Sequence, residues 1–519
     1  MHTRFINQIM HISRPTWWRI TIYSILTCGF LLRTAYLGAS SLWYDELYTY
    51  KVARLPISDI LFKPLCCHPP LSMVLFHFLI MLGTNEFTLR FFSALAGTLT
   101  IVLVYRMASI AFEAPAMIGA MAIMAVASRV VFHSRNMTPY AVALCLSAGM
   151  AIIFNKALRS QTVGGLLALG FISFAALMTH YGEAIFLLSL DIAAVIFCTL
   201  QSVISRSLKQ TYKNFKGLAK IVLAQGPGVV IFLAFFLDYA RPNLPPTLLH
   251  DTTLSRLGFH PVEFVNQTLS IVQYTFLGRG NTYWLTIFLA VIIIIGVSYA
   301  LFQFRGRYFA IALMVSLVSS YLASNAGLYL YTERYIMLFA APLFTLFAVA
   351  GYQVIMHLIT GYRESRLLMN APLVMLVLVL ASHLPDPIIR TNIQAEREDM
   401  RQVIMCMSQH YLPDDQIYVY YGAKPAFAFY NDKGWKAYMG NWYRSNIAAM
   451  YKEAKTVLTA QRGWLVFSHI ANNEDRLLLD AFSSQATIIT TCNAINANAV
   501  LLKFATPGKS STSTHSAPY

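Results

Sequence analysis

The stretch Ile287–Ala300, IFLAVIIIIGVSYA, decides the fold, because it carries no charged side chain. Ala371–Ala381, APLVMLVLVLA, has the same character. Such runs are stable in lipid rather than in water. Of all 519 residues, 57% are hydrophobic and 12% are charged, which is about half the charged share of a soluble domain. The sequence therefore predicts a polytopic α-helical membrane protein.

The positive charge of the chain is explained by topology. The chain has 39 basic and 23 acidic residues, and the basic ones concentrate in short loops between apolar segments, as the positive-inside rule predicts for cytoplasmic loops. No basic stripe is interleaved with exposed aromatic residues, so we expect no nucleic-acid partner. The spacing of the cysteines matches neither a zinc ribbon nor a disulfide framework. Cys406 and Cys492 could pair outside the cytoplasm, but we expect independent thiols.

Charge counting gives the orientation. Arg4, Arg14 and Arg19 place the N-terminus in the cytoplasm, and the loop Ser202–Lys220, with five basic residues and no acid, is also cytoplasmic. Strict alternation makes residues 38–89 one extracytoplasmic segment, in which Leu71–Leu82 forms a short interfacial helix. About eleven spans are predicted, near residues 19–37, 90–107, 115–132, 137–154, 163–180, 183–200, 221–238, 283–302, 308–325, 336–357 and 370–384.

A soluble domain follows the spans. Residues 1–385 form the predicted membrane domain, residues 386–505 a small extracytoplasmic α/β domain, and residues 506–519 a disordered tail. Residues 393–411 have the pattern of an amphipathic helix, whereas QIYVYY at 416–421 and GWLVFS at 463–468 have that of strands. The eleventh span delivers this domain to the extracytoplasmic, periplasmic side.

The first outer loop holds the leading catalytic candidates. Asp45 and Glu46 are adjacent acids surrounded by aromatic residues. A carboxylate at a membrane surface can act as a general base or a metal ligand. The alternative is structural, with Asp45 capping an interfacial helix. His68, held by the two prolines that follow, is aimed at the same region or simply precedes a helix.

Further charged and aromatic groups lie at the outer ends of spans. Arg334 is the most informative, because an arginine on the non-cytoplasmic side opposes the charge rule and is suited to bind an anion such as a phosphate. An ion pair with Glu333 is the alternative. The other candidates for binding substrate or phosphate are Lys63, Arg135, Tyr140, His180, Arg279 and Tyr331.

The order of these motifs resembles a known family. The motifs are Trp43-Tyr44-Asp45-Glu46, His68-Pro69-Pro70-Leu71, Arg90 at the start of a span, Ser134 to Tyr140, His180-Tyr181 and Arg334-Tyr335. Together, over residues 20–360, they resemble the polytopic GT-C glycosyltransferases that use polyprenyl-phosphate sugars. That superfamily includes the protein O-mannosyltransferases, the aminoarabinose transferase of lipid A modification and bacterial family 39-type enzymes.

The resemblance implies a GT-C-like membrane domain in the bacterial inner membrane, in which Asp45 is the general base of an inverting transfer. The donor is a polyprenyl-phosphate sugar, and Arg334, Tyr331 and Arg279 hold its phosphate. No cofactor is certain, although a divalent metal ion on Glu46 and His68 would fit.

Two departures from the family pattern bear on this reading. Arg135-Asn136 stand where many relatives carry an acid, which puts a second catalytic carboxylate in doubt. Ser72-Met73 stand where protein mannosyltransferases carry a lysine, which favours a lipid or glycan acceptor over a protein. The competing hypotheses are a transporter or flippase of a lipid-linked glycan and a non-catalytic membrane scaffold.

Overall fold

The structure is a computed structural model that describes residues 16–63, 68–112, 114–240, 259–278, 282–360, 377–382 and 398–504. The chain divides into two compact units. Unit 1 comprises the described residues of 1–37 and 52–389, and unit 2 those of 38–51 and 390–519. The predicted membrane domain includes residues 38–51, whereas this division places them with the C-terminal residues. The predicted tail at 506–519 lies outside the described residues.

Helices make up the described part up to residue 360. In chain order they are α1 (Thr16–Thr34), α2 (Tyr44–Ala53), α3 (Ile57–Phe62), α4 (Leu71–Ile80), α5 (Glu86–Ala111), α6 (Ala114–Val126), α7 (Ser128–Ser134), α8 (Tyr140–Ser160), α9 (Val163–Leu177), α10 (Gly182–Ser205), α11 (Leu208–Phe235), α12 (Pro261–Leu277), α13 (Tyr283–Phe302), α14 (Arg307–Asn325) and α15 (Glu333–Thr360). All except α2 belong to unit 1.

Seven of the described helices are long and apolar enough to cross a membrane, namely α5, α8, α10, α11, α13, α14 and α15. The protein is therefore a multi-pass membrane protein. The span predicted near 115–132 is not one straight helix, because α6 and α7 meet at a bend of 60°. The predicted short helix after residue 70 is confirmed as α4. The predicted loop between residues 241 and 282 contains a helix, α12. The total of eleven spans stays a prediction, since most of 370–384 lies outside the described residues.

Local sequence sets several helix ends. The side chains of Asn85, Thr162 and Ser207 accept hydrogen bonds from the backbone N–H groups that open α5, α9 and α11. Two glycines let helices α13 and α15 cross in close contact. A Cβ on Gly296 of α13 would overlap Phe347 O of α15, and one on Gly351 of α15 would overlap Ile292 O of α13. The two backbones approach closely only because both positions are glycine.

Unit 2 contains a five-stranded sheet. Its elements after residue 398 are α16 (Met400–His410), β1 (Gln416–Val419), α17 (Lys424–Tyr430), β2 (Tyr438–Met439), α18 (Ile447–Val457), β3 (Arg462–Ser468), α19 (Glu474–Phe482), β4 (Ala486–Ala494) and β5 (Ala497–Phe504). The strand order is β2-β1-β3-β5-β4. β1 runs parallel to β2 and β3, whereas β5 is antiparallel to β3 and β4. The strands predicted from QIYVYY and GWLVFS are confirmed as β1 and β3.

A disulfide joins Cys406 of α16 to Cys492 of β4. The expectation of independent thiols is therefore wrong for this pair. The Cα atoms lie 5.6 Å apart, within the range a disulfide needs, although 86 residues separate the two positions along the chain.

Candidate functional site

The basic loops of unit 1 lie together at one end of its helices. Arg159, in the last turn of α8, donates a hydrogen bond from Nη2 to Arg305 O between α13 and α14, at 3.3 Å. Gln161 lies directly against Gly217 near the start of α11, where a Cβ would overlap its amide nitrogen. Three basic loops, one of which is the predicted cytoplasmic loop Ser202–Lys220, therefore meet.

At the other end of the helices, four motifs converge. His68, His133, Tyr140, His180 and Tyr335 form what we call the imidazole–tyrosine cluster. The ring centroids of His68 and His180 are 5.2 Å apart, those of His68 and Tyr140 5.7 Å, those of His133 and Tyr140 4.9 Å, and those of His180 and Tyr335 5.4 Å. The guanidinium carbon of Arg334 lies 5.7 Å from the centre of the Tyr140 ring.

The length of α8 separates these two ends. Tyr140 opens this helix of 21 residues, and Ser160 closes it. At 1.5 Å per residue the helix spans about 30 Å, which is about the thickness of the hydrocarbon core of a bilayer. The imidazole–tyrosine cluster and the basic loops are therefore separated by about one membrane thickness.

The bend between α6 and α7 places His133. Arg33, fully buried in α1, donates from Nη1 to Ala125 O at 3.0 Å and from Nη2 to Met124 O at 3.2 Å. These carbonyls belong to the last turn of α6, where a helix leaves its carbonyls unsatisfied. The positive guanidinium also complements the helix dipole there. After the bend, α7 carries His133, whose Nε2 lies 3.0 Å from Tyr274 Oη.

The His-Pro-Pro-Leu motif is fixed to the His-Tyr motif by the backbone. The N–H of Leu71 donates to Met178 O at 2.8 Å, which brings His68 beside His180. The N–H of Gly182 donates to His180 Nδ1 at 3.1 Å, so the proton of neutral His180 lies on Nε2.

The imidazoles of His68 and His180 are neutral near pH 7. Burial, together with the positive charge of Arg334, lowers the pKa of His68 to about 4. Burial, together with His68, lowers the pKa of His180 well below its ordinary value. The cluster therefore presents neutral rings beside the Arg334 cation at physiological pH.

The other predicted binding residues have different surroundings. Arg135 is buried and donates to Leu32 O and Ala35 O at the end of α1, at 3.0 and 2.8 Å. The hydroxyl of Tyr331 lies 3.0 Å from that of Thr268. Tyr331 also lines a separate polar cavity of about 440 Å³ with Glu333. Lys63 is exposed and pairs with Asp59 at 2.5 Å. Arg279 lies outside the described residues.

Asp45 and Glu46 lie in unit 2, in the first turn of α2. The N–H of Trp43, just before the helix, donates to Glu46 Oε2 at 3.3 Å, so Glu46 makes one half of a capping box. Glu46 is fully buried, whereas Asp45 is partly exposed. The helix begins at Tyr44, so Asp45 lies within its first turn and is not the residue that opens the helix, as the structural alternative had it. The ring of the intervening Tyr44 stacks on that of His469 at 4.2 Å.

Sequence reasoning missed Arg33 and Tyr274. A signal existed for Arg33, because an arginine inside an apolar span is costly and marks a structural or functional partner. No local pattern singles out Tyr274 among the many tyrosines of the chain.

Comparison with known proteins identifies the fold. Residues 67–225 match the family model described as dolichyl-phosphate-mannose-protein mannosyltransferase. The structure superposes on ArnT from Cupriavidus metallidurans bound to undecaprenyl phosphate with a TM-score of 0.55 at 11% identity, covering 94% of this chain and 98% of ArnT. The chain has a GT-C fold.

Other solved structures are similar as well. ArnT from Cupriavidus metallidurans in the apo state superposes on this chain with a TM-score of 0.53 at 12% identity, covering 93% of this chain and 97% of that one. The Archaeoglobus fulgidus oligosaccharyltransferase gives a TM-score of 0.49 at 12% identity, covering 88% of this chain and 69% of its own. No curated protein matches the sequence.

Within the described ranges, no group of three or more His, Cys, Asp or Glu side chains is arranged to hold a metal ion. Glu46 and His68, the predicted metal ligands, belong to different units, and that metal site stays a prediction.

Proposed function

We propose that this protein is an inverting glycosyltransferase that moves a sugar from a polyprenyl-phosphate donor to a lipid or glycan acceptor outside the cytoplasm. The observation that carries the proposal is the imidazole–tyrosine cluster beside Arg334, at the ends of spans in a GT-C fold. A cation beside neutral hydrogen-bonding rings suits a phosphate at headgroup depth. The undecaprenyl phosphate bound by ArnT supports the same class of donor.

The charge distribution supports the orientation. If the joined basic loops face the cytoplasm, the imidazole–tyrosine cluster faces outward. The N-terminus is then cytoplasmic and the C-terminal domain periplasmic, in a bacterial inner membrane. The disulfide agrees with an oxidising compartment.

The reaction needs a base and a stabilised leaving group. We assign Asp45 as the base that takes the proton of the acceptor hydroxyl. The acceptor oxygen bonds to the anomeric carbon as the bond from that carbon to the phosphate oxygen breaks, and the electron pair leaves with the lipid phosphate. Arg334 stabilises the developing phosphate charge, with Tyr140 and His180 as hydrogen-bonding partners.

The test is transfer from a panel of radiolabelled polyprenyl-phosphate sugars in membranes, at matched expression. Asp45→Asn should lower transfer by on the order of a hundredfold or more. The matched control is Asp432→Asn, which removes an exposed carboxylate of unit 2. Unchanged transfer by Asp45→Asn would remove this residue from the mechanism.

Arg334 is tested in the same assay. Arg334→Ala should lower transfer by about a hundredfold, and Arg334→Lys should retain part of it because the charge is kept. Arg305→Ala, at the opposite end of the helices, should transfer like the wild type.

A flippase of a lipid-linked glycan is the second candidate, favoured by the bend between α6 and α7, because transporters use discontinuous helices. Movement of a fluorescent lipid-linked glycan across proteoliposomes, with no sugar transfer over the whole panel, would support it instead.

A further inference from the structure

Unit 2 contains a cavity of about 350 Å³ that the proposed transfer chemistry does not use. Its lining includes Glu398, Tyr421, Trp442, Arg444, His469 and Asn496. All of these residues belong to unit 2. This volume lies at the lower end of the range of ligand pockets and has room for about one or two sugar rings.

The sheet topology explains why a cavity forms here. β1 and β3 are parallel neighbours, so their carboxyl ends share one edge of the sheet. Tyr421 comes just after β1, and His469 directly follows β3. The connection between β4 and β5 reaches the same edge, because Ala497 pairs with Ser468. Open sheets with parallel strands bind ligands in crevices at the carboxyl ends of those strands.

Buried hydrogen bonds hold the rim in place. Glu474 is buried and accepts from Tyr421 Oη at 2.8 Å and from the N–H of Ser445 at 2.6 Å. The Tyr421 and Trp442 rings lie 4.5 Å apart. Trp442 nevertheless remains 59% exposed, which leaves much of its surface available to a ligand. Such a preorganised rim lowers the entropy cost of binding.

Glu398 provides the most specific observation. It is 6% exposed, and its Oε1 lies 2.8 Å from His469 Nδ1. Its Oε2 is also buried but has no hydrogen-bond partner among the described residues. A buried carboxylate oxygen without a donor is costly, and a ligand hydroxyl group could supply that donor.

We propose that this cavity is a saccharide-binding site. A sugar hydroxyl donates to Glu398 Oε2, the guanidinium of Arg444 donates to a sugar oxygen, and the sugar ring lies against the indole of Trp442. An aromatic surface bordered by a hydrogen-bond acceptor and a cationic donor matches a sugar, which has apolar C–H faces and a hydroxyl periphery. The further role of this site as the holder of the glycan acceptor rests on the proposed function, whereas saccharide binding does not.

The experiment is saturation-transfer NMR on the purified full-length protein in lauryldimethylamine oxide, because a maltoside detergent would compete. The probes are maltose, lactose and N,N′-diacetylchitobiose, with a neutral tetrapeptide as a probe of another chemical class. We expect saturable binding of at least one saccharide below about 10 mM. Trp442→Ala and Glu398→Gln should each weaken that binding by about tenfold or more.

Trp435→Ala is the matched control, because Trp435 is a half-buried tryptophan of the same unit that stacks on Tyr411 outside the cavity. Equal unfolding midpoints would show that the variants are folded. Absence of saccharide binding, binding unaffected by both cavity variants, or binding of the tetrapeptide alone would overturn the proposal. No donor is present in the assay, so a protein that transfers sugar but binds none of the probes refutes only this site. A protein that binds a probe but transfers no sugar refutes only the proposed function.

Discussion

Reduction of the Cys406–Cys492 disulfide should destabilise unit 2 by an amount that its loop length sets. The two cysteines are 86 residues apart. In the chain-entropy model, a cross-link over this distance removes about 15 cal/mol/K from the unfolded state, or about 4.6 kcal/mol at 25 °C. With a urea dependence of about 2 kcal/mol/M, reduction should lower the unfolding midpoint by about 2 M.

The assay is pulse proteolysis of the full-length protein in urea, with and without reductant. The oxidised and reduced forms of the wild type are compared, so no substitution contributes to the difference. Cys198→Ser, which changes a free cysteine of unit 1, should show the same dependence on reductant. The reasoning is refuted if the midpoint does not move on reduction. It is also refuted if Cys406 and Cys492 react with a maleimide in native, non-reduced membranes.

Three further predictions concern packing, the bend and pH. Gly296→Ala should lower the unfolding temperature through overpacking of about 1–3 kcal/mol at the α13–α15 crossing, whereas Gly164→Ala, with open space around it, should not. Arg33→Met should destabilise unit 1 by about 3 kcal/mol or more in urea titrations, because it leaves buried carbonyls at the bend unpaired, and Arg33→Lys should recover part of the loss. Burial alone would lower the pKa of His469, but its hydrogen bond to Glu398 and the charges of Glu398 and Asp45 raise it above 6.5. The contribution of protonated His469 to the free energy of unfolding is therefore complete below pH 6.5, and it is lost as pH rises through the pKa that His469 has in the folded state. The unfolding midpoint of the wild type, measured from pH 6 to 9, should fall more steeply than that of His469→Gln.

The sequence predicted the parts of the fold that depend on local composition. Long uncharged runs such as Ile287–Ala300 predict membrane helices, because transfer to lipid is a property of the segment itself. Short runs of apolar and aromatic residues likewise predicted β1 and β3. The ordered motifs predicted that His68, His180 and Arg334 belong to one site, and the structure brings them together.

The features that the sequence did not reveal depend on distant contacts. The span predicted near 115–132 contains Ser128 and Arg129 directly after the bend, but a polar residue inside a span does not by itself show where the helix bends. The bend is accommodated because Arg33, far away in the chain, binds the freed carbonyls. The disulfide depends on a Cα distance that spacing along the chain cannot give. The grouping of residues 38–51 with unit 2 has the same cause, since it includes the hydrogen bond from Ser41 to Asp399.

The position of the imidazole–tyrosine cluster separates the two candidate functions on physical grounds. Tyr140 is the first residue of α8, His180 precedes α10, and Arg334 lies in the first turn of α15. A transporter places its substrate site near the middle of the membrane, where both sides can gain access in turn. A lipid phosphate instead remains at headgroup depth, level with the ends of the spans. A site at helix ends, about 30 Å from the basic loops, therefore favours chemistry confined to one face of the membrane.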